Sequence, residues 1–298
     1  MSRERPAGAS RAGERALPTG QTSPETGAVP EVLAAVDLGS NSFHLVIARV
    51  VGRGPHVGMV VIDKMKDRVQ LAAGLDARFE LTEECQLRAL ECLGRFRERL
   101  RHHPPDAVRA VGTNTLRRAR NSSAFIARAE TALGHKISVV SGKEEARLIH
   151  LGVATSVAQS PARRLVVDIG GGSTECILGD AFDVRDADSL QMGCVSYTLR
   201  FFPGGEITPE RYRRAVLAAS VELEPMVTRY RTAGWDVAYG SSGTILAVAE
   251  VLRGLGGDDR ITSAALLRLE RAVLAAGRIA AIDLPGLKAD RAAVFPGG

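Results

Sequence analysis

The sequence predicts an α/β protein made of two duplicated domains with a cleft between them. Three observations carry this. An apolar run, Val32 to Val36, leads into Asp37-Leu38-Gly39-Ser40-Asn41-Ser42 and is followed at once by a second run, Phe43 to Val51. The same unit returns as Leu165 to Val167, then Asp168-Ile169-Gly170-Gly171-Gly172-Ser173-Thr174, then Glu175 to Leu178. Between and after these units, amphipathic helical patterns alternate with short apolar strands. With 298 residues, 45% of them apolar, the chain has material for two cores.

Residues 1–30 hold Gly, Pro, Ser, Thr and charges with few large apolar groups, too little to offset the entropy of ordering, and are expected to be a disordered arm. The first domain is expected over 31–157. After Thr82, a good N-cap, Leu87, Leu90, Leu93, Phe96 and Leu100 keep helical spacing. Ala107 to Val111 reads as a strand ending at Gly112-Thr113-Asn114-Thr115, Ser122 to Leu133 as a helix, and Ile137 to Val140 as a strand. Ser141-Gly142-Lys143-Glu144 has the form of a capping box opening a helix that runs to Val157.

A Pro-containing link, Ser160 to Arg163, marks the domain boundary, and the second domain is expected over 158–298. Beyond the repeated hairpin, Thr208 starts a long amphipathic helix to Tyr230 and Val237 to Tyr239 is a strand. Gly240-Ser241-Ser242-Gly243-Thr244 then turns into a helix over Ile245 to Leu252, and helical stretches over 263–281 and after Pro285 finish the chain.

Composition narrows the class. No apolar stretch approaches the roughly 20 residues of a membrane span, and no apolar run follows a basic start as in a signal peptide. No integral membrane span and a cytoplasmic location are therefore expected. Cys85, Cys92, Cys176 and Cys194 form no C-x-x-C pair and no zinc spacing with His, so they read as buried thiols. The net charge of +5 is modest and scattered, which suits an anionic ligand and does not imply nucleic acid.

Glycine-rich loops that bind phosphate usually run strand, loop, helix. Here each loop is followed by a short β-branched segment, so each is expected to be the turn of a β-hairpin. Such a turn can aim successive backbone N–H groups into one concavity, with Gly39, Ser40, Asn41 and Ser42 in the first copy and Gly170, Gly171, Gly172, Ser173 and Thr174 in the second. The Asp at the head of each loop is placed to hold Mg²⁺, a hard cation that prefers carboxylate oxygens and bridges to phosphate. A single D-x-G turn is as often a plain Asx turn; its duplication favours phosphate. Paired cradles of this kind resemble those of the actin and sugar-kinase superfamily, which implies actin-like (ribonuclease H-like) domains.

The motifs also resemble a narrower family. Ala34 to Val46 and Val167 to Glu175 are similar to the two signature segments of the exopolyphosphatase and guanosine pentaphosphatase family. Gly112-Thr113-Asn114-Thr115-Leu116-Arg117, Ser141 to Arg147, Met192-Gly193-Cys194-Val195-Ser196 and Gly240 to Ile245 follow in the family's order. Phe202-Pro203-Gly204-Gly205 looks closer to bacterial exopolyphosphatases.

The resemblance implies Mg²⁺-dependent hydrolysis of the terminal phosphate of inorganic polyphosphate, with guanosine pentaphosphate as the alternative substrate and no covalent phosphoenzyme. It places the catalytic base on Glu145. Helix chemistry agrees in choosing it over Glu144, which a capping box would occupy. Arg117 is the candidate for absorbing developing charge, and Asp168, Glu175 and Asp37 for the metal. His44 reads as a packed histidine, His102 and His103 as surface, and Arg211, Arg213 and Arg214 as a solvated helix face or a track for a long polyanion. The resemblance also implies a further helix and strand after Leu287 to Gly298 and a helical C-terminal half through which such proteins form homodimers. The second domain is thus expected to be incomplete, and an inactive polyphosphate-binding protein is the alternative from outside enzymes.

Overall fold

Asp37 and Asp168 stand at the same place in two sheets, and the strands around them show why. In the computed structural model, which describes residues 31–52, 58–157, 162–258 and 260–298, β1 (Val32–Leu38) pairs antiparallel with β2 (Phe43–Val51) and parallel with β4 (Ala107–Gly112). β3 (Gly58–Asp67) and β5 (Ile137–Val139) complete the order β3-β2-β1-β4-β5. The second sheet repeats the scheme: β6 (Arg163–Ile169) pairs antiparallel with β7 (Thr174–Asp180) and parallel with β9 (Val237–Ser241), and β8 (Asp183–Leu190) lies outermost, giving β8-β7-β6-β9. Asp37 pairs with His44 across the first hairpin and Asp168 with Glu175 across the second. Both loops are hairpin turns, as the sequence predicts. The arm over 1–30 and the first half of the boundary link, 160–161, lie outside the described residues.

The first core forms where α1 (Glu83–His102) and α3 (Ser122–Leu133) cover the sheet, burying Phe43, Leu45, Phe96 and Phe125 completely or nearly so. Thr82 caps α1 by accepting the Cys85 N–H. The buried stripe of α1 differs from the expected one: it runs Cys85, Ala89, Cys92, Leu93, Phe96, Leu100, while Leu87 is 54% exposed. Apolarity alone placed Leu87 on that face, although it stands two residues from both Cys85 and Ala89 and so points away from their side of the helix.

Alternation along β6 and β7 splits the second sheet's faces. Val166 and Ile177 meet Ala146 of α4 (Gly142–Ser156) on one face; Cys176 and Leu178 meet Met226 and Tyr230 of α6 (Pro209–Ala233) on the other. α4 therefore follows the first sheet in sequence and packs on the second, so the chain crosses the cleft just before Glu145. A further core joins α5 (Cys194–Phe201), α6, α7 (Ser242–Gly254) and α8 (Ser263–Ala276), with Phe295 closing it beyond the short α9 (Ala289–Ala292).

Several elements escape the sequence patterns. β8 reads Asp-Val-Arg-Asp-Ala-Asp-Ser-Leu and gains strand structure only by pairing with the buried β7. β3 is a solvent-facing edge strand, and α5 carries β-branched residues that favour a strand by propensity. All four cysteines are buried and free of disulfides. No described helix is long and apolar enough to cross a membrane.

Candidate active site

The cleft between the hairpin turns measures about 600 Å³. Each turn is held from behind by its own carbonyls. Gln70 N–H donates to the Asn41 carbonyl and Ala72 N–H to that of Ser40, both at 2.8 Å. In the second turn, Cys194 N–H donates to the Gly170 carbonyl at 2.9 Å, and the N–H groups of Val195 and Ser196 to that of Gly171 at 2.9 and 3.1 Å. A trans peptide carries its C=O and N–H on opposite sides, so these tethers turn the amides of Asn41, Ser42 and Gly171 away from their supports. All three residues line the cleft. The unsatisfied N–H groups at the start of α5 are thus spent on shaping a turn and are not offered to a ligand.

The two turns touch because the second lacks side chains at Gly171 and Gly172. A Cβ on Gly171 would sit 3.0 Å from the Asn41 amide nitrogen, and one on Gly172 2.6 Å from Asn114 Oδ1. Thr115 Oγ1 lies 2.8 Å from Ser40 Oγ, fixing the first turn from the β4 side through α2 (Asn114–Arg118).

Glu145 enters the cleft from the first turn of α4. Ser141 caps this helix by accepting the Glu144 N–H at 3.2 Å. The capping box is only half made, because the Glu144 carboxylate takes two hydrogen bonds from Arg147, at 2.8 Å each. Glu145 points the other way, and its Oε2 accepts from Arg117 Nη1 at 2.8 Å; the same nitrogen donates to the Val140 carbonyl at 2.9 Å. Burial raises the Glu145 pKa, and Arg117 pulls against it.

Carboxylates crowd this site. Asp37 is pushed up to about 7 by burial, then by Glu145 and Asp168. Burial also raises Asp168, and the neighbouring Ser241 and Ser242 hydroxyls oppose the shift. Glu175 is pushed up to about 8, by burial first and Glu145 second.

Of the residues singled out from sequence, Asp37, Gly39, Ser40, Asn41, Ser42, Glu145, Asp168, Gly170, Gly171 and Ser173 line the cleft. Gly172, Thr174, Glu175 and Arg117 do not. Thr174 opens β7 and donates to the Met192 carbonyl at 2.8 Å. Glu175 is 1% exposed beneath the second turn, its Oε1 accepting from Ser189 Oγ at 2.8 Å. Arg117 stands behind Glu145. Arg211 serves packing, donating to the carbonyls of Pro203 and Glu206.

The cleft also holds residues the sequence reading missed. Ser242, Gly243 and Thr244 begin α7 here, with Ser242 at φ 72° and its hydroxyl donating to the Ile169 carbonyl at 2.6 Å. The strand-loop-helix order around Gly240 to Thr244 was a visible signal for an anion site at a helix start. His44, Lys66 and Arg291 gather on the same cleft, from β2, β3 and α9. Burial, then Lys66 and Arg291, pushes His44 down to about 4, and burial, then Arg291, lowers Lys66. A Cβ on Gly243 would collide with the Arg291 guanidinium, so glycine is what lets that cation lie over the first turn of α7.

A cation fits between the two hairpin aspartates. Asp37 Oδ1 is buried without a hydrogen-bond partner, and both Asp37 and Asp168 face the cleft. Among the described residues no three His, Cys, Asp or Glu side chains form a ready cage. Two carboxylates facing one cleft are the number Mg²⁺ usually takes, its shell being completed by water and substrate phosphate.

Duplicated α/β domains closing on paired turns, with one carboxylate at a helix start, define an actin-like architecture suited to phosphate. The Ppx/GppA phosphatase family model matches residues 46–298, and the chain belongs to that family. It is similar to the guanosine-5'-triphosphate,3'-diphosphate pyrophosphatase of Vibrio cholerae serotype O1, with 43% identity over 265 residues, 89% of this chain and 52% of that protein. The protein of the same name from Photobacterium profundum is 42% identical over 274 residues, 92% of this chain and 54% of its own. The chain thus spans about half the length of the curated relatives it matches. Among solved structures, an exopolyphosphatase from Cytophaga hutchinsonii superposes with a TM-score of 0.78 at 26% identity, covering 89% of this chain and 87% of that one. The Aquifex aeolicus PPX-GPPA enzyme gives 0.72 at 25%, covering 91% and 90%.

Proposed function

We propose that the chain hydrolyses guanosine pentaphosphate at its 5'-triphosphate, releasing orthophosphate and leaving the tetraphosphate. The observation that carries the chemistry is Glu145, held in the cleft by a 2.8 Å bond to Arg117 between two turns that offer backbone amides. Glu145 takes a proton from water as the water oxygen attacks the terminal phosphorus. The bond from that phosphorus to its bridging oxygen breaks, and the electron pair leaves with the nucleotide. Phosphoryl transfer needs mostly positioning and charge neutralisation, which the turn amides, their hydroxyls and the α7 start supply. Asp37 and Asp168 would hold Mg²⁺, whose contribution is to neutralise phosphate charge. Arg117 keeps Glu145 in place and ionised.

Nucleotide is favoured over inorganic polyphosphate on two grounds. The relatives that share 42–43% identity carry the nucleotide in their names, whereas the exopolyphosphatase likeness rests on 26%. In addition, a substrate with two phosphate arms needs two cationic ends, and Lys66 and Arg291, with the neutral His44 beside them, offer a second one on the same cleft as Glu145. The Phe202 to Gly205 wording that pointed to polyphosphate belongs to a 3₁₀ turn outside the cleft wall, so it says nothing about substrate.

Phosphate release measured side by side on guanosine pentaphosphate and long polyphosphate should favour the nucleotide, and a clear preference for polyphosphate would overturn the substrate. Arg291→Ala should raise KM for the nucleotide about tenfold, the scale of one lost charge-assisted contact, with kcat changed little. Binding of either compound without phosphate release would favour the inactive alternative.

A further inference from the structure

Two leucines in the cleft are left bare. Leu148, on α4, is 40% exposed and Leu246, on α7, is 58% exposed, and both line the cleft that contains Glu145 and the two turns. Each stands one helical turn past a polar group at its helix start, Leu148 after Glu145 and Leu246 after Ser242, and so shares that group's face. Ile149, beside Leu148, also reaches the cleft while packing into the core beneath α4. A scattered exposed leucine needs no explanation. Apolar side chains from two helices in a cleft otherwise equipped for anions do need one, because a phosphate chain offers nothing apolar to cover them.

We infer that Leu148 and Leu246 form the shelf that receives the purine ring of the nucleotide; this rests on the nucleotide reading above. The ring is flat and largely apolar on its faces, and the leucines meet it through aliphatic contact alone. Neither side chain carries a donor or an acceptor, so the shelf reads the presence of a base and not its edge. Selection of nucleotide over inorganic phosphate chains follows from the shelf, and guanine and adenine counterparts bind alike.

Calorimetric titration of the wild-type chain and of the Leu148→Ser, Leu246→Ser double variant tests this. The ligands are guanosine tetraphosphate, its adenosine counterpart, and methylenediphosphonate, a diphosphate mimic that cannot be hydrolysed. The double variant should lose at least tenfold in affinity for both nucleotides and stay within twofold for methylenediphosphonate, which also reports an intact cleft. Unchanged nucleotide affinity would overturn the inference. So would a parallel loss for methylenediphosphonate, which would give the leucines to cleft closure, and a wild-type preference for guanine above tenfold would overturn the edge-blind shelf. Failure of the wild type itself to bind guanosine tetraphosphate would instead sink the nucleotide reading on which the shelf depends.

Discussion

Replacing Glu145 with Gln should lower kcat for phosphate release by about 10²–10⁴-fold, the usual worth of a positioned general base. KM should hold or fall, because the amide keeps the shape and removes one negative charge from a site already crowded by Asp37, Asp168 and Glu175. The size of the effect follows from geometry. The carboxylate is 17% exposed, fixed by Arg117, and shifted upward in pKa by burial, which makes it a better proton acceptor near neutral pH. Arg117→Ala gives a separable signature. Arg117 opposes the upward shift, so removing it raises the Glu145 pKa further, and the acid limb of the pH–rate profile should move to higher pH. A purely structural arginine would lower activity without moving that limb. Steady-state rates across pH 5 to 9 for both variants decide the matter, and an E145Q enzyme within a few fold of wild type would remove Glu145 from the chemistry.

How much of this was legible in the sequence depended on whether local pattern and tertiary partner agreed. The paired hairpins were legible because β1, β2, β6 and β7 are apolar runs around Gly-Ser turns, and their cores bury those same residues. Glu145 was legible through the family resemblance of its motif, and Ser141 separated it from Glu144 by fixing the phase of α4, although Glu144 turned out to serve Arg147 and not the cap. β8 was not legible, since its acidic sequence becomes a strand only against β7. The cationic end was hidden for a similar reason. Lys66 and Arg291 are separated by most of the chain, each is an ordinary surface residue by pattern, and only the meeting of β3 with α9 joins them to His44. Arg117 and Glu175 carried the right motif positions, yet burial behind the wall gives them supporting places.

Gly193→Ala should cost activity far more than stability. Gly193 has φ −161°, a conformation open to any residue, so what excludes a side chain there is space and not backbone strain. Its Cβ would lie 2.6 Å from both the Gly171 carbonyl carbon and the Gly172 nitrogen, and 2.7 Å from the Gly171 oxygen. These are backbone atoms of the second turn, with no flexible side chain to yield. Relief requires either α5 to retreat, which breaks the tethers from Cys194, Val195 and Ser196, or the turn to move toward the cleft, where Gly171 already meets Asn41. Both paths re-aim the amides that would hold phosphate. A displacement on the order of 1 Å at a positioning element can cost about 10²-fold in rate, while overpacking of this kind typically costs about 1–3 kcal/mol of stability. The expected result is therefore a folded protein with cooperative thermal unfolding and kcat reduced about 10²-fold. Full activity in a folded Gly193→Ala protein would mean that the second turn does not cradle the reacting phosphate.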